Sequence, residues 1–233
     1  MLDKINIYNR EEDFFQDLEI FNLNNQFGII SFFNHHCFNL CYQNENYQKG
    51  ILNSDFLLRD GIGVKLALKK MKHNPGINLN GTDLIPKIFN YYDNKNSNFL
   101  IIGSKMPWVS IASQKLVKNN KCNYLDGFQS DDVYLNFIAK NINNKLTNII
   151  LLAMGMPRQE NLGIKIKKKF VNHSGLIING GGVVDFVSKR KRRAPLFIRR
   201  IGMEWLFRLI IEPKRLFNRY VIGIPIFFFR ILK

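Results

Sequence analysis

The chain is poor in the residues that mark several protein classes. Its 233 residues include three cysteines, Cys37, Cys41 and Cys122. So small and odd a number excludes a disulfide-stapled scaffold and points to a reducing compartment. Acids are scarce, 18 Asp and Glu against 34 Lys and Arg, for a formal net charge of +16. Long apolar runs are also missing. The longest late one, residues 220–229, is ten residues between Arg219 and Arg230, whereas a membrane-spanning helix takes about 20. The N-terminal stretch MLDKINIYNREEDFFQD carries no apolar core of a signal peptide, so none is expected. No Gly-x-Ser-x-Gly, phosphate-binding Walker loop, His-Glu-x-x-His or Asp-x-Asp pair occurs. His35, His36, Cys37 and Cys41 have no second ligand cluster at zinc spacing, and His73 and His173 stand apart, so neither a metal nor a cofactor is expected.

What is present suits a packed globular body: 46% hydrophobic residues, 13% of the chain aromatic. The charge is unevenly placed. Residues 187–233 hold 13 Lys and Arg against Glu204 and Glu212, a net of +11, which leaves +5 for the rest. The basic character belongs to the C-terminal fifth and anticipates a polyanion, an anionic membrane surface or a phosphorylated substrate.

Short apolar or β-branched runs recur at 27–33, 56–58, 98–102, 148–153 and 175–179, most followed by glycine. Helix-length segments separate them, among them 64–71, 84–92, 108–119 and 133–141. This alternation predicts an α/β fold: a Rossmann-like, mainly parallel sheet flanked by helices, spanning residues 1–187. From residue 188 the pattern changes to a basic helical appendage. Arg208, Arg215 and Arg219 are seven and four apart and share a face if the helical direction continues across Pro213. Trp205, Leu206, Leu209, Leu216, Phe217 and Tyr220 run opposite them.

In a parallel sheet, ligands bind beyond the carboxyl ends of the strands. Four turns fall there. Asp60-Gly61-Ile62-Gly63-Val64 closes one run and opens a helix; Asp60 reads either as a general base or as a cap of that helix. Leu66 stands where a dinucleotide fingerprint needs its third glycine. Gly103-Ser104-Lys105 closes a second run, and Met154 to Glu160, with Arg158 and Gln159, a third. Gly180, Gly181 and Gly182, followed by Asp185, read either as a phosphate-cradling nest or as a tight connection. Together the four point to a nucleotide or phosphate pocket. Asp131-Asp132 reads as a solvated loop pair.

These motifs, in this order, resemble the WecG/TagA/CpsF glycosyltransferases, glycosyltransferase family 26. The resemblance runs from about Ile29 to Leu232. It rests on Asn34, Asp60 to Val64, Asn80-Gly81-Thr82-Asp83-Leu84, Gly103, Gly127-Phe128, Gly155 to Glu160, and the glycine triplet with Asp185-Phe186. Its most specific part is the ending: Lys191-Arg192-Arg193-Ala194-Pro195, Gly202, Glu204-Trp205, Arg208, Glu212-Pro213-Lys214-Arg215-Leu216 and Arg219-Tyr220.

The resemblance implies a metal-independent, inverting transfer from a UDP-sugar to a polyprenyl (undecaprenyl) diphosphate-linked saccharide during cell-surface polysaccharide synthesis. The enzyme would be peripheral at the cytoplasmic face of a bacterial plasma membrane. Asp60 matches the family's catalytic base and Gln159 a residue near the donor sugar. Arg208, Arg215 and Arg219 match arginines that meet the lipid diphosphate and membrane. Asn34, Gly61, Gly63, Thr82, Gly103, Gly127, Phe128, Gly180, Gly181, Gly182 and Asp185 complete the expected substrate side, with glycine-turn amides and helix N-termini receiving the leaving group. N-acetylmannosaminyltransferases of the family carry a Thr-x-Asn-x-Glu pattern. Here Phe32 and His36 replace its Thr and Glu, so the resemblance does not fix the donor sugar. Two other readings stay open: a nucleic-acid-binding protein using the basic tail, although no nucleic-acid-binding motif accompanies it, and a nucleotide-sugar enzyme with a soluble acceptor. Self-association as a homo-oligomer is left open as well.

Overall fold

The computed structural model describes residues 1–22 and 26–232. Its six strands are β1 (Phe27–Phe33), β2 (Phe56–Arg59), β3 (Ser97–Ile102), β4 (Cys122–Leu125), β5 (Thr147–Leu152) and β6 (Gly175–Asn179). They form one sheet in the order β2-β1-β6-β5-β3-β4, every neighbouring pair parallel. Four of the five apolar runs are the interior strands β1, β3, β5 and β6, and the fifth is β2, an edge strand that is nonetheless buried. β4 is the strand that the sequence pattern did not mark. It sits at the sheet edge, half-exposed, with a mixed composition, CNYL, that needs no continuous apolar run.

Helices cover both faces. They are α1 (Glu11–Asn22), α2 (His35–Gln43), α3 (Glu45–Leu52), α4 (Ile62–Lys70), α5 (Gly81–Asp93), α6 (Trp108–Leu116), α7 (Asp131–Asn141), α8 (Arg158–Lys169) and α9 (Val183–Val187). The sheet's two-residue period divides its side chains between two cores. Ile30, Phe99, Ile101, Ile149, Leu151 and Ile178 face Leu18 of α1, Ile88 of α5 and Ala112 of α6. Ile29, Leu100, Ile102, Ile150, Leu152 and Ile177 face Tyr134 and Ile138 of α7 and Leu162 and Ile166 of α8. Asparagine, frequent throughout, acts as helix punctuation. Asn34, Asn44 and Asn80 accept first-turn backbone N–H bonds at the starts of α2, α3 and α5. Asp131 and Asp132, read as a loop pair, instead open the first turn of α7, where acids complement the helix dipole, and Asp131 pairs with Lys165 at 2.7 Å.

The C-terminal segment forms α10 (Leu196–Arg200), α11 (Glu204–Ile211), α12 (Pro213–Phe217), a π-helical turn (Asn218–Ile222) and α13 (Gly223–Leu232). Glu212, with φ −127° and ψ 57°, breaks the helical direction before Pro213. No described helix is long and apolar enough to cross a membrane. The segment folds back onto the body. Phe227 is fully buried in a third core with Cys37, Phe38, Tyr47, Val64 and Leu68, its ring edge-on to Phe38 at 5.1 Å. Asn39 Nδ2 donates to the Gly223 carbonyl at 2.7 Å.

Because Phe227 fills this core completely, Phe227→Ala should destabilise the whole chain by about 3–5 kcal/mol. Urea unfolding followed by circular dichroism checks this; a tail that folds apart from the body would leave the midpoint where it was.

Candidate active site

Parallel strands all end on one edge, so the turns after them gather. β3 is followed by a segment leading to edge strand β4, and its neighbour β5 by one leading the opposite way to β6, which opens a crevice beyond their ends. A cavity of about 460 Å³ occupies it. It is lined by Asn34, Asp60, Thr82, Gly127, Phe128, Gln159, Gly180, Gly181, Gly182 and Asp185, together with Arg208, Arg215 and Arg219 from the C-terminal segment. Of the expected site residues, Gly61 and Gly63 face a second cavity instead, and Gly103 lies behind the lining. At Gly103 (φ +85°) a Cβ would sit 2.6 Å from the Ala153 carbonyl oxygen, and one on Gly127 would sit 2.8 Å from the Gly103 Cα. Only glycine lets these two turns touch.

Asp60 does not cap α4. The N-cap is Gly61, with no side-chain bond. The Asp60 backbone N–H donates to the Phe33 carbonyl at 2.9 Å, which extends the β1–β2 pairing past the strands. Its Oδ2 accepts from Asn34 Nδ2 at 3.2 Å. Asn34 is itself fixed, since its Oδ1 accepts from the His36 and Cys37 backbone N–H groups. One buried amide thus starts α2 and orients the carboxylate. Behind it, buried Arg59 donates to the carbonyls of Pro75, Gly61 and Gly76 and to Asn78 Oδ1, fixing the loop that flanks Asp60.

The glycine turns differ from the expected anion cradle. The N–H groups of Gly61, Gly103, Gly127, Gly155, Gly180 and Gly181 are all bonded within the protein, to Asn78 Oδ1, the Leu125 and Ser104 carbonyls, Gln159 Oε1, the Leu152 carbonyl and Gln159 Oε1 respectively. Two of the triplet's three amides are therefore engaged in a tight connection between β6 and α9. Gln159 holds it: 3% exposed, it ties the turns after β5 and β6 together, and its Nε2 donates to Glu160 Oε1 at 2.9 Å. Asp185 is likewise engaged, accepting from Ser104 Oγ at 3.0 Å and Arg190 at 3.2 Å.

Positive charge is supplied by side chains. Arg208 and Arg219, which line the cavity with Asp60, each have a buried Nε–H with no partner among the described residues. Arg208 stacks over Phe186 at 5.4 Å and Arg219 over Tyr220 at 5.5 Å. Arg219 and burial together push the neighbouring imidazoles of His35 and His36 down to about 4, burial being the larger cause, so both are neutral near pH 7. Arg215 bonds Glu212 at 2.6 Å; that bond, with Lys191 at 3.1 Å, holds the Glu212 carboxyl down at about 2. Arg193 grips Asp83 with both terminal nitrogens, at 2.6 and 2.7 Å, and Arg199 adds a third bond at 3.2 Å. Within residues 189–193, Arg190, Lys191 and Arg193 are thus paired to carboxylates of the chain and do not form an open basic patch.

The second cavity, about 360 Å³, opens between α4 and the C-terminal segment and shares Asn34, Asp60, Thr82, Arg208 and Arg219 with the first. One of its lining residues, Asn78, carried no signal in the sequence, because it belongs to no recognisable motif; its Oδ1 is held next to the Asp60 turn by accepting from the Gly61 N–H at 2.9 Å and from Arg59 at 3.3 Å.

Glu160 is 3% exposed, and its Oε2 has no partner among the described residues. Burial pushes its carboxyl up to about 7. A folded-state value above the unfolded one means that the native state holds the proton longer, so stability falls as the pH rises from about 4.5 to about 7. Each unit of that difference corresponds to about 1.4 kcal/mol. Glu160→Gln keeps an acceptor for Gln159 and removes the titration. Thermal melts at pH 5 and pH 8 should show a smaller loss of stability in the variant than in the natural chain.

The model of the glycosyl transferase WecG/TagA/CpsF family matches residues 3–233. Among curated proteins, the chain is similar to an N-acetylglucosaminyldiphosphoundecaprenol N-acetyl-beta-D-mannosaminyltransferase of Bacillus spizizenii, 26% identical over 195 residues, covering 82% of this chain and 73% of the relative. It matches the Bacillus subtilis protein of the same name to the same extent. The Staphylococcus aureus protein of that name is 24% identical over 198 residues, covering 84% of this chain and 76% of the relative. With the sheet edge, the Asp60 turn and the arginine-bearing ending all inside the matched span, the chain belongs to the WecG/TagA/CpsF family of glycosyl transferases.

Proposed function

We propose that this glycosyl transferase moves a hexose from a UDP-sugar to a saccharide linked to a polyprenyl diphosphate, with inversion at the anomeric carbon, at the inner face of a bacterial plasma membrane. The observation that carries the reading is the position of Asp60 where two cavities meet. A nucleotide-sugar in the polar crevice and an acceptor in the other cavity would meet across this carboxylate. Asp60 would take the proton of the attacking hydroxyl while the bond from the anomeric carbon to the UDP oxygen breaks. The negative charge that develops on UDP would be met by the Arg208 and Arg219 guanidinium groups, whose Nε–H groups lack partners among the described residues, rather than by the glycine amides already bonded elsewhere. Phe128, 74% exposed at the rim of the crevice, is free to stack on a base.

Membrane association is supported by the outer side of the C-terminal segment. Leu196, Phe197, Ile201, Ile210, Ile211, Phe217 and Ile222 are each between 45% and 71% exposed, close in sequence to Arg192, Arg200 and Lys214. Apolar side chains beside cations suit an anionic bilayer interface, where each cation contributes about 1 kcal/mol. The paired state of Arg190, Lys191 and Arg193 gives the nucleic-acid reading no comparable support.

A panel of UDP-sugars, offered with undecaprenyl-diphosphate-linked N-acetylglucosamine and related lipid acceptors, tests the reaction by release of UDP and formation of glycolipid. Asp60→Asn should lower turnover by about 10²- to 10⁴-fold while the melting temperature holds; turnover close to normal would remove Asp60 from the chemistry. In vesicle co-sedimentation, the double variant Phe197→Ser, Ile210→Ser should weaken binding to anionic bilayers about ten-fold or more, since each buried side chain is worth about 1.5–3 kcal/mol. Unchanged binding would assign the exposed apolar face to another role.

A further inference from the structure

We infer that the cavity between α4 and the C-terminal segment seats the terminal sugar of the acceptor, with Glu204 accepting hydrogen bonds from its hydroxyls and Trp205 packing on its ring. This rests on the glycosyl-transfer reading above and specifies its acceptor side.

The cavity has two kinds of wall. Leu66, Trp205, Ile224 and Phe228 contribute apolar and aromatic surface; Glu204 and Asn78 contribute polar groups. A pyranose has the same division, with C–H bonds on its faces and hydroxyls around its rim. The volume of about 360 Å³ lies in the range of small-molecule sites. Trp205 is held edge-on to the buried Tyr220 at 6.0 Å, so its ring is already oriented.

Glu204 is distinguished by what it does not bond. Asp83, Asp185 and Glu212, the other carboxylates that meet the C-terminal segment's cations, each accept a hydrogen bond from a guanidinium or ammonium group at 3.2 Å or less. The Glu204 carboxylate accepts none among the described residues. Arg193 Nε, the nearest cation, is 3.8 Å away, an ion-pair distance too long for a hydrogen bond. Burial, and Asp60 among the nearby charges, push its carboxyl upward, while Arg193 and Arg208 oppose them. A half-buried acceptor of this kind, at the start of α11 and lining the same cavity as Asp60, suits a neutral ligand rich in O–H donors.

The geometry also orders the acceptor. A sugar here lies beside Asp60, where its nucleophilic hydroxyl must be.

The test separates acceptor from donor. With a short-chain polyprenyl-diphosphate-linked N-acetylglucosamine as acceptor, Glu204→Gln and Trp205→Leu should each raise the acceptor KM about 10- to 100-fold, the loss of a charge-assisted bond or a stacked ring. The donor KM should stay nearly unchanged. Leu66→Trp, a substitution at a residue 46% exposed, fills the cavity from the α4 side and should have the same selective effect without a folding defect. Calorimetric titration of the same lipid needs no donor: the natural chain should bind it and Leu66→Trp should not. Equal binding by both, or variants that shift the donor and acceptor KM together, would overturn the assignment. If the natural chain binds the lipid and yet transfers no sugar from any UDP-sugar, the glycosyl-transfer reading fails and the cavity assignment stands.

Discussion

One carboxylate, Asp83 in the first turn of α5, receives both Arg193 and Arg199, and the site as a whole depends on that clamp. Burial alone would raise the Asp83 carboxyl, but the bonds from Arg193 and Asn80 keep it below its usual range, so it stays charged and holds both guanidinium groups. The clamp sits next to Thr82 in the wall shared by both cavities. It brings the chain back from the end of the α/β body to the strand edge, after which α11, α12 and the π-helical turn deliver Arg208, Arg215 and Arg219 to the crevice. Phe227 and the Asn39–Gly223 bond fasten the far end of the segment against α2. Held at both ends, the segment forms a wall of the site.

The division of electrostatic labour follows from this arrangement. The turns beyond the strands use their own amides to hold one another, through Gln159 and the close approach of Gly103 to Gly127. They make a rigid, narrow crevice with few free donors. Cationic side chains arrive from outside the sheet, and two of them keep a buried N–H without a partner among the described residues. A buried donor without a partner costs stability, and here the cost coincides with the place where a diphosphate would be received.

Much of this was legible in the sequence. The apolar runs at 27–33, 98–102, 148–153 and 175–179 could only be buried strands, and a parallel sheet places the turns after them on one edge. Asp60, Thr82, Phe128 and the three arginines accordingly line one crevice. β4 escaped notice because it is only half-buried at its edge of the sheet and its mixed composition, CNYL, makes no apolar run, whereas the other edge strand, β2, is buried and does. The capping reading of Asp60 and the nest reading of the glycine triplet both gave way for one reason. The partner of each group is remote in sequence, Asn34 for the carboxylate and Gln159 for the Gly181 amide, and local pattern carries no information about such pairs.

The sequence by itself determined the α/β architecture, the edge of the sheet that carries chemistry and the basic, aromatic character of the ending, because each follows from side-chain periodicity and composition over short stretches. The tertiary structure alone decided that the ending doubles back, that Asp60 stands between two cavities, that Glu204 accepts no hydrogen bond among the described residues while Asp83 accepts from two arginines, and that most of the glycine amides of the turns are already bonded. These depend on contacts such as Asp83 with Arg193, His35 with Arg219 and Asn39 with Gly223, between residues more than a hundred positions apart, and such contacts exist only once the chain has packed.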